Sequence, residues 1–290
     1  MIVLSLFDGI SCGQVALQRL NIQVEKYYAS EINKDSIKIT QHNFPNTIQL
    51  GDVRKIDVSK LPKIDLLMGG SPCQDLSHAK PNGEGLNGEK SRLLYEFVRI
   101  LKEANPKYFL LENVIMKKQW ERIITNLVGV KSIEINSSLV SAQNRKRLYW
   151  TNIPIKFGGL KDKGILIKDI IYDDNYKVFT DERIEKTKRR AQNYLQWDLS
   201  GKGYKSQQDR GFFKDGKICT LPRANPTNKL NIVLGDGKYR RMHPIEAERC
   251  QNLPDNYTKG LPDSKRLSVI GDGWTVDVIC FILQGLKMGS

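Results

Sequence analysis

Between residues 2 and 135 short apolar runs alternate with stretches of helical periodicity, and this alternation restricts the possible folds severely. Ile2–Phe7, Val24–Ser30, Ile64–Gly69, Tyr108–Leu111 and Ser132–Ile135 read as strands bounded by turn or polar residues. Leu93, Leu94, Phe97, Val98 and Leu101 share one face of a helix. A strand followed by an amphipathic helix buries both apolar surfaces when the helix lies back across the sheet. The chain is therefore expected to be α/β, with a mainly parallel, doubly wound sheet. In such sheets ligands bind at the carboxyl ends of the strands.

From about residue 155 the alternation stops. The basic stretch Arg183–Arg190 and the loop-like, glycine-containing Gly201–Gly216 take its place. Order returns at the end, where Val276, Ile279, Leu283 and Leu286 fit one apolar helix face. The expected division is a first domain over 1–172, a smaller second domain with its hinge over 173–265, and a C-terminal helix over 266–290 that completes the first.

The first strand runs into Asp8-Gly9-Ile10-Ser11-Cys12-Gly13 and then a helical stretch. Its glycine spacing is G-x-x-x-G, not the G-x-G-x-x-G that cradles a pyrophosphate, so the turn suits an adenosine cofactor without phosphates. Glycine also serves ordinary strand–helix turns, so the spacing alone is weak evidence. Glu31 closes the second strand 23 residues after Asp8, close to the ~20-residue offset at which an acid meets ribose hydroxyls. Asp52, in Gly51-Asp52-Val53, should end a third strand and reach an adenine edge. Each acid has the plain alternative of a solvated carboxylate.

A reactive constellation follows. Gly70-Ser71-Pro72-Cys73-Gln74 leaves the strand ending near Gly69, and the proline stiffens the loop that carries the thiol. A lone cysteine is more often structural. Glu112-Asn113-Val114 ends the next strand, so its carboxylate should emerge beside the Cys73 loop, and Gln143-Asn144-Arg145-Lys146-Arg147 adds guanidinium groups at another strand edge. Thiol, acid and arginine together fit one reaction. A thiolate that adds to C6 of cytosine makes C5 nucleophilic, an acid neutralises charge at N3, and arginine holds O2 and lowers the thiol pKa. C6 is inaccessible in stacked duplex, so the base must be flipped out.

These blocks, Phe7-Asp8-Gly9…Gly13, Ser71-Pro72-Cys73-Gln74, Glu112-Asn113-Val114 and Gln143-x-Arg145-x-Arg147, resemble the ordered motifs of DNA cytosine-C5 methyltransferases. Arg241-Met242-His243-Pro244-Ile245-Glu246-x-x-Arg249-x-Gln251-x-x-Pro254 and Gly271-Asp272-Gly273-Trp274-Thr275-Val276 resemble the family's C-terminal pair. The likeness covers most of 1–157 and 240–286. Any one motif is modest; six in order are specific.

The resemblance implies a Rossmann-like S-adenosylmethionine-dependent methyltransferase domain with a smaller target-recognition domain, and double-stranded DNA as partner. It casts Cys73 as nucleophile, Glu112 as the N3 acid, and Arg147 as the O2 contact with Arg145 in support. S-adenosylmethionine, leaving as S-adenosylhomocysteine, would meet Phe7, Asp8, Gly9, Ser11, Cys12, Gly13, Glu31, Ile32, Asp52, Val53, Ser71, Pro72, Asp272, Trp274 and Thr275. DNA contacts would come from Gln74, Ser77, Gln143, Arg189, Gln207, Gln208, Arg210 and Thr220, the last in a threonine–leucine pair with Leu221. Gly83–Gly88 would be a mobile lid. One departure stands out: family members often have asparagine where this chain has Asp272.

The formal charge of +14, from 46 basic and 32 acidic residues, attracts polyanions, though a lysine-rich surface accounts for it equally. Five scattered cysteines (Cys12, Cys73, Cys219, Cys250 and Cys280) without a C-x-x-C pair, and three distant histidines, argue against a disulfide framework and a metal site. No run approaches ~18 uninterrupted apolar residues and Met1–Phe7 lacks a basic leader, so a cytoplasmic, membrane-free monomer of bacterial or viral origin is expected. A cognate restriction endonuclease is a candidate companion, with an orphan enzyme as the alternative.

Three rivals remain. A tRNA methyltransferase relative would usually carry Cys-Phe-Thr, where this chain has Cys219-Thr220-Leu221. An inactive DNA-binding accessory would have lost the thiol or the acid. A nicotinamide-dependent reductase would need the missing dinucleotide fingerprint.

Overall fold

The computed structural model describes residues 1–72, 92–156, 158–172, 176–180, 189–191, 194–198, 210–223 and 230–288; for 189–191, 194–198 and 210 it describes backbone alone. The contacts divide the chain into two compact units. One comprises Met1–Ile135, Lys146–Phe157 and Ile279–Ser290, the other Asn136–Arg145 and Gly158–Val278.

The first unit is built on β1 (Ile2–Leu6), β2 (Lys26–Ser30), β3 (Ile48–Gln49), β4 (Leu66–Gly70), β5 (Tyr108–Val114), β6 (Ile133–Asn136) and β8 (Lys146–Thr151), the two-residue β7 (Gln143–Asn144) belonging to the second unit. The seven strands form one sheet in the order β3-β2-β1-β4-β5-β8-β6. β3, β2, β1, β4 and β5 run parallel, and β8 lies antiparallel on β5. The helices are α1 (Cys12–Arg19), α2 (Lys34–Asn43), α3 (Leu93–Ala104) and α4 (Lys118–Val128).

Local chemistry explains these limits. The Asn33 side chain caps α2 by accepting from the amides of Asp35 and Ser36. Gly129, at φ 78°, ends α4 in the left-handed conformation that glycine adopts without a Cβ penalty. α3 turns Leu94, Phe97, Val98 and Ile100 inward, onto a core with Leu4, Leu6, Leu67, Leu111 and Trp150. Each residue of β1 after the first is buried, as a strand covered on both faces requires.

β1 pairs with β2 on one side and β4 on the other. The chain winds outward in both directions from this point, which leaves a crevice beyond the carboxyl ends of β1 and β4. The sheet thus brings the Phe7–Gly13 loop and the Gly70–Pro72 segment to one edge.

The second unit holds a six-stranded, mostly antiparallel sheet of β9 (Val178–Thr180), β10 (Arg189–Ala191), β11 (Tyr194–Asp198), β12 (Arg210–Phe213), β14 (Asn231–Gly235) and β15 (Lys238–Arg241), in the order β10-β11-β12-β14-β15-β9. β13 (Ile218–Cys219) pairs separately with β7. The helices α5 (Pro244–Cys250) and α6 (Asp263–Asp272) follow, and the chain returns to the first unit within α7 (Val276–Leu283).

The expected loop Gly201–Gly216 is corrected in part, because Arg210–Phe213 within it form β12. Phe212 and Phe213 are buried there beside Ile232 and Val233, and two adjacent aromatics gain more from a sheet core than from a solvent loop. Residues 214–216 form a turn as expected of a loop, and residues 201–209 lie outside the described residues.

Candidate active site

The loop after β1 is tightly coiled, with Phe7 (φ 56°), Gly9 (φ 59°) and Ser11 (φ 57°) all left-handed. Nothing lies within 4 Å of a Cβ placed on Gly9, so the backbone is open to a ligand there. Glu31 holds this loop to β2. One carboxylate oxygen accepts from the Gly9 amide at 2.8 Å, and the other accepts from the amides of Ile32 and Asn33, each at 2.8 Å. A carboxylate has about four acceptor sites, so one remains for a hydroxyl. Ile32, 70% exposed, offers an apolar surface beside it.

Asp8 works differently. The Tyr27 hydroxyl donates to one of its oxygens at 2.7 Å and the Ser11 hydroxyl to the other. Burial pushes its carboxyl up to about 6, against the lowering effect of hydrogen bonds from Ser11, Ser5 and Tyr27, with the nearby Glu31 charge adding to the rise. Asp8 therefore braces the loop from inside. Asp8 itself is half-buried; Ser11 and Cys12 are buried, and a Cβ on Gly13 would come within 2.8 Å of the Met68 methyl. These last three residues pack into the loop's own framework, so a cofactor contact there would run through the backbone. The Val53 side chain, 4% exposed, likewise belongs to the core.

Asp52 remains half-buried at the surface. Its carboxylate accepts from the Arg54 amide at 3.0 Å and pairs with the Arg54 guanidinium at 2.5 Å. The hydrogen bonds from Arg54 hold its carboxyl below the usual range.

At the neighbouring strand ends, Gly70 of β4 pairs with Glu112 of β5. The Asn113 amide donates to the Ser71 hydroxyl at 2.9 Å and to the Ser71 carbonyl at 3.3 Å, which fixes the segment leading to Pro72. Across the antiparallel ladder Val114 faces Arg147, and Arg147 Nε lies 2.9 Å from Glu112 Oε1. Both side chains are largely buried, yet a tenth or slightly more of each stays exposed. The acid and an arginine from the sequence reading thus meet in one unit, two residues from Pro72. Cys73, Gln74, Ser77 and Gly83–Gly88 lie outside the described residues.

In the second unit the motif residues turn inward. Gln143 is fully buried: its amide nitrogen donates to the Cys250 carbonyl at 2.7 Å and to Gln251 Oε1 at 2.9 Å. Its oxygen accepts from the Leu221 amide at 3.3 Å. Thr275, 1% exposed, donates to Gln251 Oε1 at 2.8 Å and accepts from Ser137 at 2.9 Å. Arg145 is also buried, and its guanidinium donates to the carbonyls of Gly273 (3.0 Å), Gly271 (3.3 Å) and Leu221 (3.5 Å). The side chains of Gln143, Thr275 and Arg145, expected at the DNA, the cofactor and the reacting base, are thus engaged within the second unit. With no free face, they stitch three motif blocks together. Thr220 is half-buried, with its hydroxyl donating to the Asn144 carbonyl at 2.8 Å.

The family model for C-5 cytosine-specific DNA methylase matches residues 1–288. The chain belongs to this family. Type II methyltransferase M1.ScrFI of Lactococcus lactis subsp. cremoris is 27% identical over 97% of this chain and 77% of its own length. The orphan methyltransferase M.SPRI of Bacillus phage SPR is 42% identical over 114 residues, 39% of this chain and 26% of its own. Among solved structures the Entamoeba histolytica methyltransferase EhMeth superposes with a TM-score of 0.73 at 17% identity, covering 100% of this chain and 98% of its own. The S. pombe Dnmt2 methyltransferase gives 0.67 at 16% identity over 100% and 99%. At such identities these two show the fold. The family fixes the activity: this methylase is a DNA (cytosine-5)-methyltransferase, and S-adenosylmethionine is the donor its family implies.

Other residues of the methylase site had weaker signals in sequence. Asn113 lies inside the Glu112-Asn113-Val114 motif, and its side chain anchors Ser71. Tyr27 and Thr40, which support Asp8 and Ser11, carry no local signal because they reach the loop across the fold. Arg189 and Arg210 begin β10 and β12 with their side chains undescribed, and Gln207 and Gln208 lie outside the described residues. Trp274 is half-buried, and Asp272 is exposed and paired with Arg223 at 3.4 Å.

Proposed function

We propose that this methylase acts through Cys73, with Glu112 and Arg147 holding the cytosine. The observation that carries the reading is the Glu112–Arg147 pair at 2.9 Å, on the strand whose Glu112 is paired with Gly70, three residues before Cys73. Arg147 keeps Glu112 oriented, and Glu112 presents its second oxygen to N3 of a flipped base. As the Cys73 sulfur bonds to C6, the C5–C6 π electrons move onto C5 and are conjugated through to N3. A proton held between Glu112 and N3 neutralises that charge, and Arg147 donates to O2. Once C5 has taken up a methyl group, loss of the C5 proton to a base, cleavage of the sulfur–C6 bond and return of the N3 proton to Glu112 restore the ring and the thiolate.

The crevice fits S-adenosylmethionine. Gly9 leaves room, Glu31 keeps an acceptor site for a ribose hydroxyl, and exposed Ile32 suits an adenine face. When bound, the cofactor supplies the methyl group that C5 takes up. Phe7, Gly9, Glu31, Ile32 and Asp52 would hold it, with Ser71 and Pro72 at the methyl end. The Type II names of bacterial relatives support a modification role beside a restriction endonuclease in a bacterial cytoplasm.

Covalent capture tests the reading. Duplex containing 5-fluorocytosine should trap the wild type irreversibly, because fluorine cannot leave as the proton does. Cys73→Ala should abolish both trapping and methylation while still binding DNA. Trapping by the alanine variant would overturn the assignment.

A further inference from the structure

Two backbone segments of the second unit are clipped together twice. Leu221–Arg223 starts at the leucine of the threonine–leucine pair, and Gly271–Gly273 precedes Trp274. The first clip is Arg145, which donates to carbonyls on both segments. The approach is close enough that a Cβ on Gly271 would sit 2.2 Å from the Pro222 carbonyl oxygen, so glycine is required there. The second clip is Arg223–Asp272 at 3.4 Å, with the side chains 56% and 43% exposed. It uses the one position in the last motif where this chain has aspartate in place of the family's frequent asparagine. An added carboxylate that meets an arginine on the facing segment has acquired a partner, not merely a place in solvent.

We propose that Arg223 is a positioning residue: held by Asp272, it fixes the start of the recognition segment against the loop that carries Trp274. Arg145 sets the spacing of the two segments, and the outer ion pair sets their register. The chemistry suits this division. Carbonyl contacts to a buried guanidinium tolerate little movement, whereas an exposed pair is adjustable and screened by salt. Arg223 thereby acts on DNA through segment geometry and not by touching a phosphate. This rests on the reading that the Thr220 segment serves DNA recognition.

A double-mutant cycle on the full chain tests it, with duplex affinity read by fluorescence anisotropy and kcat measured separately. Arg223→Gln should weaken duplex binding about two- to fivefold, the span of an exposed ion pair, with kcat within about twofold. Asp272→Asn should weaken binding similarly, and the double variant should be no worse than either single. The charge exchange Arg223→Asp with Asp272→Arg should recover at least half of the loss. If the Arg223→Gln loss persists in full on the Asp272→Asn background, Arg223 touches DNA directly and the proposal fails. It fails equally if the exchanged pair recovers nothing. A wild type that neither binds duplex nor methylates it overturns both this proposal and the functional reading, while normal wild-type binding with additive losses overturns this one alone.

Discussion

Arg147 and Arg145 belong to one basic run and stand two residues apart, yet they do opposite kinds of work in different units. Arg147 makes an ion pair with Glu112 in which about a tenth of each side chain stays exposed. Arg145 directs its guanidinium at three backbone carbonyls and shows almost no surface. The same division runs through the motifs. At the strand ends of the first unit, Glu31, Asp52 and Glu112 are anchored on one side and accessible on the other. In the second unit Gln143, Gln251 and Thr275 are largely occupied with one another. A motif residue can thus mark chemistry or the frame that holds it, and burial separates the two.

The largest effect should fall on the open side. Glu112→Gln keeps a hydrogen bond for Arg147 but cannot carry the proton at N3, so the single-turnover rate should drop ~10²–10⁴-fold. Cofactor binding and melting temperature should hardly move. An unchanged rate with lowered stability would place Glu112 with Arg145 among the framework residues and break the comparison.

Arg145→Met makes the converse claim. It leaves the carbonyls of Leu221, Gly271 and Gly273 without their donor in a buried setting, at a cost of about 3 kcal/mol or more in unfolding free energy. Activity per folded molecule should fall far less than for Glu112→Gln. Denaturant unfolding together with active-site titration reads both quantities. Full stability with lost turnover would return Arg145 to the catalytic group.

Much of the first unit was legible because its information is local. The strands at Ile2, Tyr108 and Ile133, and the helix bearing Leu94 and Phe97, follow from periodicity that burial then exploits. Glu112 and Arg147 were legible as residue types with a shared chemistry. What escaped is tertiary. Nothing near Asp8 in sequence announces Tyr27, and nothing in Gln143-Asn144-Arg145 says that Gln251 and Gly273 will absorb two of its side chains. The β12 strand escaped because glycines and polar residues around Phe212 and Phe213 hide a buried pair within a loop-like composition.

Asp8 tests the comparison inside the first unit, as a framework acid among open ones. Unfolded it titrates near 3.8, and folded near 6, because burial disfavours its charge. The folded state therefore binds the proton more tightly. Its contribution to stability is full below about pH 3.8 and is lost as the pH rises through about 6. Asp8→Asn removes this dependence, so wild type should lose stability relative to the variant between pH 4 and 6, by at most about 3 kcal/mol. Denaturation midpoints of both proteins across pH 4–8 give the answer. Parallel curves would mean that water reaches Asp8 and that it belongs with Glu31.

Asp52 should show the smallest effect, and it decides how much a strand-end acid can give to its own structure and still serve a ligand. Its carboxylate caps the turn beginning at Val53 through the Arg54 amide, and it pairs with a guanidinium that is 62% exposed. The cap is a backbone contact and survives loss of the side-chain partner; the ion pair is screened and worth ~1 kcal/mol or less. Arg54→Gln should therefore change stability by under ~1 kcal/mol, and cofactor affinity should stay within about fivefold because the capped carboxylate keeps its place. Asp52→Ala removes both the cap and the proposed ligand contact, so its cofactor affinity should fall clearly further. Calorimetric titration of S-adenosylhomocysteine into the two variants makes the comparison. Equal losses in both would mean that the cofactor depends on the ion pair as a unit. Asp52 would then join Asp8 as framework, and Glu31 alone among these three acids would keep its ligand role.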